Sequence, residues 1–559
     1  MKKNKLVYNF GNTLNSSPQH SMFVRNSKLI TAFNAGDLVP IYLDEILPGD
    51  NVKLNIKALI RQTTMLKPIM DVANIDIYGF FVPNRIIWDD FKKFFGENKD
   101  PWAVVNEVLV PTVSSPTTDG WKIGTIADYM GLPVNKKGLK VNALPFRAYT
   151  QIVNDWFRDQ NLQSVAHINK TNSTATGSNG TNWIKDLELG GKPFIVNKYH
   201  DYFTSALPKP QKGNAINLNI GGIAPVYTKL DEVITGEHSP LTFSRSDGKK
   251  FTSSADGTGN IVAVSQSFGE GSSSTTANLI TDTLDPVTKK PVYPNNLYTD
   301  LSQATGISIN DLRQAITYQH MLEKDARSGT RYVEYLRSHF GVNSLDATQQ
   351  RAEYLGGYRK PLNVNTVPQT SSTVSDSAQA NLSAFGESFL SESLINKTFL
   401  EHGYLILVAA VRYEHSYQQG LEQLWTRSTR NDFYDPIFAN IGEQPIKNKE
   451  IYFSGGDTTV DDEIFGYNEA WASYRTKFNK ITGMMRSVDK GLDYYHYGDN
   501  YSALPKLSAE WLREDKANID RTLAVKSTND MPQFQADFYF EVKHERPMPV
   551  FSIPGIDRI

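Results

Sequence analysis

Cysteine is absent from all 559 residues, which excludes disulfides, thiolate metal sites and cysteine nucleophiles together. No apolar run reaches the ~18–20 residues of a membrane-spanning helix; the longest, 404–411, fits one buried strand. The N-terminal MKKNKLVYNF has too short an apolar run for a secretory signal. Neither sign of charge dominates: 58 Lys and Arg against 60 Asp and Glu give a formal net charge of −2, which argues against a bulk neutraliser of nucleic acid. Acids are missing from the first 36 residues, where Lys2, Lys3, Lys5, Arg25 and Lys28 carry the charge. That stretch is rich in Asn and Ser and shows little periodicity. It is expected to be an arm, either flexible and solvated or lying near phosphates that it contacts without reading sequence.

Catalytic signatures are equally scarce. The ten His are scattered, without HExxH or HxH, and read as structural or surface residues. The run GEGSSST at 269–275 lacks the Lys of a phosphate-binding loop and follows no convincing strand. Asp461, Asp462 and Glu463 could attract a cation but lack EF-hand spacing, so a solvated loop is expected. Asp89 and Asp90 read as charge at the start of a helix. No GxSxG occurs. With 60 acids present, residue type alone leaves a two-carboxylate glycosidase open.

What the chain does contain is strand pattern. Twenty-seven Tyr and 28 Phe favour a β-rich fold. After the turn Pro48-Gly49-Asp50, Val52, Leu54 and Ile56 alternate with Lys53, Asn55 and Lys57, the signature of a strand with one wet face. A second strand is expected over 73–82, where Ile75 and Ile77 flank Asp76 before Tyr78, Phe80 and Phe81; Pro83 stops it. Residues 403–411 read as a strand apolar on both faces. The cleanest alternation is 534–543, with Phe534, Ala536, Phe538, Phe540 and Val542 facing one way. Pro547, Pro549 and Pro554 then keep the tail off the sheet.

Helices interrupt this pattern. Pro145 suits a first helical position, and Phe146, Tyr149, Ile152, Val153, Trp156 and Phe157 recur on one face. A second helix is expected from Ser308, with Leu312, Ala315, Ile316, Gln319 and Leu322 as its stripe. Gly329 breaks it, and Tyr332, Tyr335 and Leu336 continue on another helix. Residues 368–384 read as a long polar loop. Between 241 and 280, 19 of 40 residues are Gly, Ser or Thr, too polar to order themselves alone. Short hairpins are expected there at Phe251 and around 261–264. No internal repeat is visible. Strands near both termini with long excursions between them suit a mainly β fold, an eight-stranded antiparallel jelly roll with long loop and helical insertions. The expected segments are a basic arm (1–36), a first part of the jelly roll with a helical excursion (37–210), a surface insertion (211–305), and a helical excursion with the remaining strands and an extended tail (306–559).

Several blocks carry a resemblance: EILPGD, PIMD and DIYGFFVPNRIIWDDFKKFFGEN in the first hundred residues, then LPFRAYTQIVNDWFRDQNL, DYFTSALPKPQKG, LEKDARSGTRYVEYLRSHFGV, RAEYLGG, YQQGLEQLWTR and FGYNEAWASYRTKFNKITGMMRS. Together and in this order they resemble the major capsid proteins of the Microviridae, small icosahedral phages, with the gokushovirus branch nearest. The segment from about 214 to 305 is outside the resemblance. The resemblance implies the same jelly roll and a structural, non-enzymatic subunit with no cofactor. It also implies that about sixty copies close a T=1 shell around circular single-stranded DNA. Implied partners are other copies of the chain, the packaged DNA, a small basic DNA-associated virion protein and a host cell-surface receptor. The implied location is the virion, assembled in the bacterial cytoplasm. Lys2, Lys3, Lys5, Arg25 and Lys28 are then candidate DNA contacts on an internal arm. The insertion is a candidate threefold protrusion for host attachment, where three copies would bury Phe243, Phe251, Ile261, Val262 and Val264. Two other readings are a carbohydrate-binding or carbohydrate-cleaving β-sandwich, which should show a groove with paired carboxylates and exposed Trp, and a nonstructural nucleic-acid-binding module, which should show a basic excess.

Overall fold

The computed structural model describes residues 19–97, 108–214, 216, 309–329, 331–375, 378–489, 491–525 and 531–551, and between 217 and 308 only the strand segments named below. The chain divides into two units, Met1–Lys212 with Glu323–Ile559, and Gly213–Leu322.

Ten strands of the first unit build two antiparallel sheets: β1 (Ser21–Val24), β2 (Ser27–Phe33), β3 (Val39–Ile46), β4 (Asn51–Met65), β5 (Ala73–Pro83), β6 (Glu353–Pro361), β7 (Val364–Pro368), β8 (Leu382–Thr398), β9 (Gly403–Tyr413) and β10 (Phe534–Arg546). The first sheet has the order β1-β10-β4-β8-β7, with β2 also paired to β10; the second has the order β6-β5-β9-β3. Period-2 patterning decides which side chains meet between them. Val52, Leu54, Ile56, Ala58 and Ile60 of β4 and Phe534, Ala536, Phe538, Phe540 and Val542 of β10 share one buried core with Ile75 and Ile77 of β5 and with Leu405, Leu407, Ala409 and Val411 of β9. The alternate residues of β9, Tyr404, Ile406, Val408 and Ala410, belong to a second core. There they meet Phe80 and Val82 of β5 and the residues Phe146, Tyr149, Ile152 and Val153. The second sheet is therefore covered on both faces, which is why β9 reads apolar at every position. The outer face of the first sheet stays wet.

The covering layer is the helical excursion after β5. Its helix Leu144–Ile152 has Pro145 in its first turn and runs on as a π-helical turn, Val153–Phe157. Tyr149 donates from its hydroxyl to the Leu38 carbonyl at 2.7 Å, and Trp156 donates from Nε1 to the Ala352 carbonyl at 2.8 Å. Further on, the helix Ile309–Ser328 ends at Gly329, which takes φ +100°, a value that favours glycine. The helix Tyr332–Phe340 follows.

Two expectations change, and one strand appears where none was expected. The stretch 1–36 is not an arm throughout: from Ser21 it forms β1 and β2, both paired with β10. The edge of β10 offers unpaired backbone groups, and Phe33 buries itself beside Phe534, so weak local periodicity is overridden by tertiary pairing. The polar loop expected over 368–384 is shorter, because β7 runs to Pro368 and β8 begins at Leu382. β8 itself is a 17-residue strand whose Ser, Glu and Asn content hid it; it is held along most of its length by β4.

In the second unit Thr242–Arg245 pairs with Lys250–Thr252 and with Val292–Pro294, Ser254–Ala255 pairs with Ile261–Val262, and Val226–Thr228 pairs with Leu297–Thr299, all antiparallel.

The alternation on β4 has a testable consequence. Leu54 is fully buried between the sheets, whereas its neighbour Lys53 faces outward. Leu54→Ala is expected to lower urea-unfolding stability by about 2–5 kcal/mol, and Lys53→Gln by less than about 0.5 kcal/mol.

Candidate functional site

Three clusters of charge sit around the sandwich. The first joins β1, β3 and β10. Arg25, just after β1, donates from one guanidinium nitrogen to both oxygens of Asp44, at 2.8 and 2.6 Å. The Tyr42 hydroxyl donates to the same carboxylate at 2.9 Å, and His544 Nε2 lies 3.2 Å from it. Burial acts to raise the Asp44 pKa, but hydrogen bonds from His544 and Arg25 outweigh it and hold the group at about 2. Arg546 Nε meets Asp50 at 3.2 Å.

The second cluster is centred on Asp76 of β5, which is fully buried. It accepts from Arg359 Nε of β6 at 2.7 Å, from Arg412 Nε of β9 at 3.0 Å and from the Tyr199 hydroxyl at 3.0 Å. Both guanidinium groups also lie over the Tyr199 ring, at 4.2 and 4.3 Å. The third cluster surrounds His415, just past β9. Its Nδ1 is 2.9 Å from Asp499 and its Nε2 3.0 Å from Glu514, all three buried. Lys198 Nζ approaches Asp499 at 3.4 Å, and Tyr501 and Asn518 donate to it. Burial by itself would lower the His415 pKa; the two carboxylates reverse this and raise it to about 9. Asp499 is pushed well below the usual carboxylate range despite its burial, chiefly by His415 and then Lys198.

These groups are engaged with one another and hold distant segments together. The acidic run is similar. Asp461 accepts from Ser454 N at 2.8 Å, Ser454 Oγ at 2.7 Å and Gly456 N at 3.0 Å, and Asp462 meets Lys447 and Lys449 at 3.0 and 2.7 Å. One cavity with two carboxylates and aromatic walls, of about 250 Å³, is lined by Glu422, Glu450, Tyr202, Tyr474 and Phe478 among others. Its carboxylates already have partners: Glu422 pairs with Lys480, and Glu450 accepts from Tyr202 at 2.8 Å.

Of the basic residues expected to contact DNA, Arg25 has its guanidinium on Asp44, and Lys28 lies on the outer face of the first sheet, 2.8 Å from Asp537. Lys2, Lys3 and Lys5 lie outside the described residues. In the insertion Phe243 stands opposite Phe251, Ile261 opposite Ala255 and Val262 opposite Ser254; Val264 lies outside the described residues. Sequence reasoning missed an exposed apolar group on the excursion between β9 and β10. Trp425 is 73% exposed and Ile437 84%, with Phe433, Tyr434 and Ile441 also exposed. The aromatic content of 417–438 was the available signal.

A β-sandwich whose charged clusters tie the chain together, and which among the described residues leaves one broad sheet face uncovered and an apolar excursion exposed, has the build of a structural assembly protein. The chain belongs to the capsid protein (F protein) family, whose model matches residues 13–556. It is 48% identical over 539 residues to capsid protein VP1 of Spiroplasma virus 4, covering 95% of this chain and 94% of that one. It is 41% identical over 539 residues to capsid protein VP1 of Bdellovibrio phage phiMH2K, covering 96% and 95%. With capsid protein VP1 of Chlamydia phage 1 it shares 38% identity over 586 residues, covering 97% and 96%. The protein is thus a structural subunit of a phage capsid and a component of the virion, not an enzyme.

The His415 cluster predicts a pH dependence. An unfolded His titrates near ~6.5, so a folded value of about 9 contributes stability that is fully present below ~6.5 and lost as pH rises through about 9. Urea unfolding between pH 6 and pH 10 should show a decline on the order of 3 kcal/mol from this group. His415→Gln should remove that part of the slope while lowering stability at pH 6.

Proposed function

We propose that the chain is the coat subunit of a closed T=1 icosahedral shell of about sixty copies around circular single-stranded DNA, built on an eight-stranded jelly roll. The observation that carries this reading is the strand order. Numbered as eight strands, β2, β3, β4, β5, β6, β8, β9 and β10 run 1-8-3-6 in the first sheet and 2-7-4-5 in the second. Each sheet draws strands from both ends of the chain, as two Greek keys do. β1 and β7 extend the first sheet at its margins.

The two longest connections follow β5 and β9; beyond the layer that covers the second sheet, their outward parts supply contact surface. A closed shell needs several different faces per subunit, each burying more than ~1,000 Å² in total. The exposed Trp425 and Ile437 fit the apolar centre of one such contact. Negative-stain microscopy of the purified chain tests the reading: closed isometric particles are expected, and a chain that remains monomeric at high concentration overturns it. Trp425→Ser with Ile437→Ser should prevent closure while leaving the urea midpoint nearly unchanged, because neither side chain is buried in the subunit.

The basic segment holding Lys2, Lys3 and Lys5 is assigned to the interior, in sequence-independent contact with DNA phosphates. Lys28 joins it from the first sheet; Arg25 contributes there only as far as Asp44 leaves it free. A small basic DNA-associated protein is a further internal partner. The insertion 211–305 is assigned to a threefold protrusion that meets a host receptor. Its low content of large aromatics suits a segment that gains order by meeting other copies, with Phe243, Phe251, Ile261, Val262 and Val264 as the buried residues. Deleting 244–276 should give closed particles that no longer attach to the host. Failure to form shells would place the segment in the core fold, and normal attachment would reject the receptor role.

A further inference from the structure

The first sheet keeps one face uncovered among the described residues, and the register places its side chains in rows. One row is Lys28–Tyr539–Lys57–Ser391, the next Ile30–Asp537–Leu59–Phe389, and the next Ala32–Gln535–Arg61–Glu387. Toward the other end Val24, Lys543, Lys53 and Asn396 stand in line. Large apolar side chains on this face are open to solvent: Phe389 is 59% exposed, Ile30 72% and Tyr539 37%. Phe389 and Tyr539 belong to strands on either side of β4, about 10 Å apart across the sheet.

The ion pairs on this face leave one feature without an internal account. Lys28 pairs with Asp537 at 2.8 Å, Lys57 with Glu541 at 2.5 Å, and Arg61 with Glu387 at 3.4 Å. Lys53 and Lys543 instead stand directly opposite each other on β4 and β10, with Glu541, which is paired to Lys57, and Glu545 on either side of Lys543 along that face of β10. Like charges directly opposite are destabilising, and an anion lying across them turns repulsion into a binding site. β1 runs beside β10 at this end of the sheet, with Val24 opposite Lys543.

We propose that this face is a platform for single-stranded DNA. Tyr539 and Phe389 stack on unpaired bases, and Lys53 and Lys543 together hold a backbone phosphate. Aromatic side chains on an open sheet accept any base, because every base has a π-face, and paired cations hold the strand without reading it. A duplex keeps its bases stacked inside and can use only the lysines. The proposal rests on the reading that the shell encloses single-stranded DNA.

The test is fluorescence anisotropy of a 20-nucleotide oligo(dT) and a 20-base-pair duplex with the full chain over a salt series. Lys53→Gln with Lys543→Gln should weaken oligo(dT) binding several-fold at low salt and reduce the log–log salt slope by about 0.7, the value for the one phosphate contact they share. Tyr539→Ser with Phe389→Ser should weaken oligo(dT) binding at least tenfold with the slope and duplex binding unchanged. Lys122→Gln, on a distant exposed loop, should change neither. Wild-type affinity and slope in the combined four-site variant, with its urea midpoint intact, overturn the platform; so does a variant that binds DNA normally but no longer forms particles, which makes the face a contact between copies. Absence of any salt-dependent oligo(dT) binding by the unaltered chain instead overturns the DNA-packaging reading. Ultraviolet cross-linking of DNA inside unaltered particles gives a result that does not depend on variant folding: adducts at Tyr539 and Phe389 are expected, and adducts confined to other segments overturn the proposal.

Discussion

The second sheet is buried on both faces, and the rest of the molecule is arranged around that constraint. A strand such as β9, with Leu405, Leu407, Ala409 and Val411 on one side and Tyr404, Ile406, Val408 and Ala410 on the other, is stable only between two apolar layers. One layer is the facing sheet. The other has to come from elsewhere in the chain, and the excursion after β5 supplies it through Phe146, Tyr149, Ile152 and Val153. At roughly 1.5–3 kcal/mol for each fully buried side chain of this size, the second layer is as much a part of the fold as the sandwich.

Charge then fastens the excursions where they leave the sheets. Asp76 gathers β5, β6, β9 and Tyr199 at one point. His415 links the end of β9 to Asp499 and Glu514 of the following excursion. Arg25, Asp44 and His544 bind the first strands to the last. A buried charge left alone would be strongly unfavourable, so each cluster holds its partners in one geometry, and each joins segments far apart in sequence. A coat subunit has to present the same faces in every copy, and clusters of this kind keep the excursions in register with the frame.

The same asymmetry sets what each surface presents. With one sheet covered twice, the outer face of the other is the open β-surface of the subunit, and it carries the Lys, Tyr and Phe rows. The excursion between β9 and β10 presents Trp425 and Ile437 instead. Mixed charge and aromatic rings suit a flexible polyanion; a cluster of large apolar side chains suits a fixed protein partner.

Much of this was legible in the chain itself. Strict alternation in 52–57 and 534–543, continuous apolarity in 403–411 and the aromatic stripe from Phe146 to Phe157 identify β4, β10, β9 and the covering helix, because side-chain burial has the period of the element that carries it. The ordered blocks of the resemblance pointed to a capsid protein, and the family match agrees. Other elements were not legible. β8 shows no strand pattern and its first residues fall in the expected polar loop, and β1 and β2 look like a basic arm, since a strand with a wet face and few large residues owes its conformation to the partner it pairs with. The roles of Arg25 and Lys28 were hidden for the same reason: composition counts both as free cations, while the fold sets one on Asp44 and the other beside Asp537 and Tyr539. Sequence by itself determined which side chains needed burial. Which strands would lie side by side, which face would stay open, and which charges would meet were decided only by the tertiary structure, because those contacts join residues from 19 to several hundred positions apart and no local pattern records them.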